Sequence, residues 1–174
     1  KSGYYYDILH PDGTVLNRDA AAVVPGVAVT RRNADMLYWM VKQFDLMKRM
    51  GRSDRIRPEW EDAVRKLADA FVRTWKEEGT WGNYLHVETG KVAVFNTTSG
   101  AMAVGGLALA AEYFSRPEYL EVAEQAASDF YRQFSIVGFT SGGCGDILQN
   151  SDSETAAALM TSLTTLYEKT GKAD

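Results

Sequence analysis

Three carboxylates stand close together late in the chain, at Asp146, Asp152 and Glu154, in and just after the Gly-rich run Gly142-Gly143-Cys144-Gly145-Asp146. Paired carboxyls suit general acid–base chemistry, in which one is held protonated and the other stays ionised. Asp152 and Glu154 diverge on a regular helix, but converge if Asp152 still belongs to the loop. The same residues have a structural reading. Ser151-x-x-Glu154 has the form of a capping box, and acids favour helix N-termini through the helix dipole. Both readings stand on the sequence alone.

The two histidines, His10 and His86, sit in similar settings. Tyr6 to Val15 and Tyr84 to Val92 both read as β-hairpins, each with Leu-His before a turn, Gly in the turn and Val after it. Such an equivalence fits two contacts to substrate hydroxyls, or two structural hydrogen bonds in a repeated scaffold. Neither histidine has a metal-ligand partner at suitable spacing. One glycine-rich loop does not make a calcium repeat, so neither a metal nor a cofactor is expected. Trp81, Tyr84 and the run Tyr4-Tyr5-Tyr6 place aromatics near these turns, where rings could stack on ligand faces or pack across strands. Arg31 and Arg32, with Asp35 following, read as a solvated pair or a clamp for an acidic group. Cys144 is the one cysteine, with no base beside it, and its thiol reads as inert.

These residues hang on five helices of two kinds. Periodicity predicts helices over about 33–50, 58–78, 98–114, 117–134 and 153–169. The second carries an apolar stripe of Trp60, Val64, Leu67, Phe71 and Trp75 opposite a charged face, so Trp60 and Trp75 are expected in the core. The fourth is amphipathic too, with Ser115-Arg116-Pro117-Glu118 read as a capping box at its start. The third is uncharged from Thr97 to Ala111 and the fifth from Thr155 to Tyr167. A helix without a polar face is buried all round. Short links follow the first and third helices. Long loops, the segments that tend to carry function, precede the third and fifth. All long loops are therefore expected at one end, above the N-termini of the first, third and fifth helices.

The unit of hairpin loop, buried helix, tight turn and amphipathic helix recurs with a period of about 60 residues, which suggests a solenoid or closed toroid of helical hairpins. The turn Leu46–Asp54 returns as Leu166–Asp174. Residues 1–174 thus read as one partial domain of about two and a half hairpins, a fragment of a larger chain, whose fifth helix is expected to expose apolar surface and self-associate.

This architecture resembles the six-hairpin glycosidase superfamily, the (α/α)6 toroid. The most specific likeness is Gly142-Gly143-Cys144-Gly145-Asp146-Ile147-Leu148-Gln149-Asn150-Ser151-Asp152-Ser153-Glu154 with Leu166-Tyr167-Glu168-Lys169-Thr170-Gly171, which looks like a loop and buried helix of bacterial carbohydrate-degrading proteins. The resemblance implies an all-α fold and a glycoside hydrolase acting on oligo- or polysaccharides. Asp152, Glu154 and Asp146 would be its catalytic candidates, and Trp81, Tyr84, His86, His10 and Tyr6 would line its cleft. It favours a periplasmic or extracellular setting, and a fragment inactive without the other hairpins. The competing reading is a non-catalytic helical-repeat module that binds glycan or protein. A lanthionine-synthetase-like cyclase needs zinc ligands that this chain does not assemble. With a net charge of −4 and both signs interspersed, nothing favours nucleic acid or an anionic membrane surface.

Overall fold

The computed structural model describes residues 2–7, 9–15, 26–95, 97–142 and 151–172. Five α-helices dominate: α1 Thr30–Arg49, α2 Pro58–Glu78, α3 Ala101–Tyr113, α4 Pro117–Phe130 and α5 Ser153–Thr170. A small antiparallel sheet joins them, with β1 Val27–Val29, β2 Tyr84–His86 and β3 Val92–Val94 in that order. The helices form two layers. In one, α3 lies between α1 and α5; in the other, α2 and α4 pack on each other and across the first.

The expected boundaries of α2 and α5 agree with the structure to within a residue. α4 ends earlier as an α-helix and continues as a π-helical turn over Tyr131–Ser135. α1 begins at Thr30, three residues sooner than periodicity suggested, because Val29 is in the extended conformation and hands the chain straight from β1 into the helix. The anticipated box before α4 does not form: Arg116 holds the N-cap position without a side-chain cap, and its guanidinium reaches Glu118 instead. Pro58 and Pro117 open α2 and α4, where a missing N–H costs nothing.

α3 explains the first layer. Its residues from Ala101 to Ala108 are all buried, five of these eight positions being Ala or Gly. Gly105 faces Tyr38 of α1 and Ser162 of α5, and its N–H reaches the Ser162 hydroxyl at 3.1 Å. With no side chain there, α1 and α5 touch across α3, where the Tyr38 and Thr165 hydroxyls share a hydrogen bond of 2.9 Å. A Cβ on Gly105 would lie 2.9 Å from the Tyr38 ring and 3.0 Å from the Ser162 Cα. Gly105→Ala should therefore lower stability by about 1–3 kcal/mol, although alanine alone favours a helix by about 1 kcal/mol. A urea midpoint that rises instead would show that α1 and α5 are not held at this distance.

Trp81 organises the second layer. It is 0% exposed and packs on Phe71, Trp75 and Phe130 at ring separations of 5.5, 4.8 and 6.0 Å. Its indole N–H donates to the Phe71 carbonyl at 2.8 Å. Trp60 departs from its expected burial. It lies in the first turn of α2, beyond the edge of the core, is 43% exposed and takes the Arg57 guanidinium over its ring.

Candidate functional site

The N-termini of α1, α3 and α5 meet at one end, as the loop lengths implied. Three segments are tied together there. The hydroxyl of Thr98, just before α3, donates to the Ser141 carbonyl at 2.7 Å and accepts from the Ser141 N–H at 2.9 Å. Asp152 and Thr140 pair likewise, the Asp152 N–H donating to the Thr140 carbonyl and the Thr140 hydroxyl to the Asp152 carbonyl. Gly142 follows at φ +92°, and a Cβ there would lie 2.8 Å from both Asn83 Oδ1 and Thr97 Cβ. Glycine is the residue that this close approach admits. Asp146 falls within 143–150, outside the described residues.

At this end Arg31 connects the helices. It sits in the first turn of α1, and its N–H donates to the Ser99 hydroxyl at 3.1 Å. Its Nε donates to Asp35 Oδ1 at 2.8 Å, and Nη2 lies 3.5 Å from Glu154 Oε1. Arg31 is only 8% exposed, so the expectation of a solvated pair holds for Arg32 alone, whose guanidinium lies 3.5 Å from Asp7. Arg31 Nη1, Asn83 Oδ1 and Ser141 Oγ are buried and lack a hydrogen-bond partner among the described residues. Buried polar atoms rarely stay unpaired, and such groups take ordered water or a ligand.

The two carboxyls on Arg31 differ in setting. Asp35 is half-buried, and loss of solvent raises its pKa above the ordinary 3.8; the Arg31 hydrogen bond and charge offset part of this, while Glu154 adds to it. The Glu154 side chain is 49% exposed. One guanidinium holds both carboxyls, Asp35 through Nε and Glu154 through Nη2.

The other expected site residues separate into groups. Asp152 is the N-cap of α5: Oδ1 accepts from the Thr155 N–H at 2.7 Å and Oδ2 from the Thr155 hydroxyl at 2.8 Å. The expected Ser151-x-x-Glu154 box does not form, because Glu154 reaches Arg31; an acid still caps the helix, and both Asp152 oxygens are engaged in that cap. Trp81 cannot stack on a ligand, because its faces are covered by core rings. Tyr84 is also buried, with Val27 and Val29 on one face of the sheet. Tyr4, part of the tyrosine run, lies in the core against Phe71 and donates to the Thr74 hydroxyl at 3.0 Å.

Tyr6, His86 and His10 remain nearer the surface. Tyr6 donates to Glu88 Oε1 at 2.9 Å, which ties the N-terminal segment to the turn after β2; this hydrogen bond and partial burial raise its pKa. His86 is half-buried in β2 opposite Val27. His10 lies in an exposed turn closed by a Leu9–Val15 bridge. The two hairpins are therefore less alike than their sequences: the second is extended by β1 into a sheet, and the first is a single tight turn. β1 was unforeseen, although Val27-Ala28-Val29 after Gly26 carries the β-branched signature of a short strand.

Among the described residues no group of three or more His, Cys, Asp or Glu side chains is placed to hold a metal ion, and no helix is long and apolar enough to cross a membrane. Compared with known families, curated proteins and solved structures, the chain gives no match to any of the three.

Proposed function

We propose that this chain is a carbohydrate-active domain of the six-hairpin glycosidase type, with its site at the shared N-terminal end of α1, α3 and α5. The observation that carries the reading is the pair of carboxyls held on one buried guanidinium: Asp35, half-buried, with its pKa raised by loss of solvent, and Glu154, nearly half exposed. Glycoside hydrolysis requires such an inequality. Asp35 is the general acid that protonates the leaving oxygen. Glu154 is the carboxylate that activates water or attacks the sugar carbon. Arg31 fixes the separation of the two. Tyr6, His86 and His10 stand on the hairpins beside this end. The two-layer helical array, with buried helices of small residues and amphipathic helices behind them, supports the same architecture.

The test is release of reducing ends from a panel of oligo- and polysaccharides by the intact polypeptide and its Glu154→Gln variant. Hydrolysis by the wild type and its loss in the variant are expected. The burial of Trp81 favours a second reading, a module that binds glycan or protein without cleaving it. That reading prevails if glycan binds, no bond is cleaved, and Glu154→Gln leaves binding unchanged.

A further inference from the structure

Two apolar stripes lie on opposite edges of the α1–α3–α5 layer. On α1 Trp39 and Leu46, and at its C-cap Met50, are 56%, 45% and 60% exposed, on the side away from buried Leu37, Val41 and Phe44. On α5, Ala157, Met160, Thr164 and Tyr167 are exposed opposite buried Ala158, Leu159, Ser162 and Thr165, with Met160 at 70%. Both stripes follow the alternating three- and four-residue steps that let helices pack side by side at a shallow angle, with Gln43 filling the α1 series. Neither stripe faces another element of the described chain. Large apolar side chains in register along a helix mark an interaction surface.

Charge distinguishes what fits. α1 carries five cationic and two acidic side chains, and α5 two acidic and one cationic. Pairing α1 with α1 would set cationic helices together, whereas α1 against α5 joins opposite signs. The two helices also point the same way, because Arg31 and Glu154 meet at their N-termini. We propose that copies of this chain associate edge to edge, the α5 stripe of one on the α1 stripe of the next, with the helices parallel. Such a contact is heterologous: every copy keeps one edge free, so assembly continues into a ring or an open array rather than stopping at a dimer.

The experiment uses sedimentation velocity over a range of concentrations on the wild-type chain, on Trp39→Glu and on Met160→Glu. Both substitutions are at exposed positions, and circular dichroism checks that each variant keeps its helices. The wild type should form species larger than a dimer, and each variant alone should sediment as the 19.3 kDa monomer. Mixed in equal amounts, the two variants should recover a dimer and nothing larger, because Trp39→Glu retains an intact α5 edge and Met160→Glu an intact α1 edge. A wild type that stays monomeric overturns the proposal and leaves the stripes to helices of different sequence. A dimer that survives in one variant alone indicates a symmetric contact and also overturns it, as does assembly that neither substitution weakens.

Discussion

Trp81→Ala should destabilise the protein by about 3–5 kcal/mol, the range for removing a large aromatic side chain from a packed core. Three aromatic neighbours lose their common contact: Phe71 and Trp75 on α2 and Phe130 on α4. The indole also anchors the segment before β2 to α2 through the Phe71 carbonyl. Gly100 lies against it, with a built Cβ only 2.9 Å from the Trp81 side chain, so the start of α3 is shaped by the same ring. Trp81→Phe keeps much of the bulk but drops the hydrogen bond, and should recover part of the loss. Chemical denaturation followed by circular dichroism measures both. A Trp81→Ala midpoint within 0.5 kcal/mol of the wild type, about the scatter of surface substitutions, would mean that the ring is not in the core.

The position of Trp81 marks where sequence reasoning loses its grip. Hydrophobic periodicity located all five helices, because amphipathicity in α2 and α4 and the charge-free run of α3 follow from local spacing. α5, equally free of charge from Thr155 to Tyr167, was expected to be buried all round, yet only the face toward α3 is buried and Met160 and Tyr167 stand exposed. The end of the array that carries the loops was legible for the same reason, since short and long links alternate. Whether a loop aromatic faces a cleft or the core depends on elements far apart in the chain: Phe130 lies 49 positions beyond Trp81, and no local pattern links them. Arg31 illustrates the opposite error. Two adjacent arginines near a helix start have the spacing of a solvated pair. Only the arrival of Ser99, from the segment before α3, and of Glu154, from α5, makes the first of them a buried bridge. Asp152 and Glu154 were recognisable as a carboxylate cluster at a helix start, yet their division into cap and surface carboxylate rests on where Thr155 and Arg31 lie.

Asp35→Asn and Glu154→Gln test the proposed chemistry from two directions. If these groups are the acid and the carboxylate, each substitution should lower turnover by about 10²–10⁴-fold, the usual contribution of a positioned proton-transfer group. Stability should move differently. Burial makes the ionised Asp35 unfavourable in the fold, so its pKa stands above the unfolded value. A carboxyl of that kind binds more protons folded than unfolded, and its contribution to stability falls as pH rises from the unfolded pKa of about 3.9 through the folded one. Wherever Asp35 is ionised its charge therefore opposes folding, and Asn, which still accepts from Arg31 Nε, removes it. Asp35→Asn should leave the melting temperature at pH 7 unchanged or higher, and the margin over the wild type should close as the pH falls below the folded pKa. Glu154 lies nearly half exposed, and its pairing with Arg31 contributes little to stability after solvent screening. Loss of activity without loss of stability is what a site residue gives. If both substitutions lower the melting temperature and neither changes cleavage of any glycan that the intact protein degrades, the Arg31 bridge is a structural tie between α1 and α5, and the proposed acid–carboxylate pair is wrong.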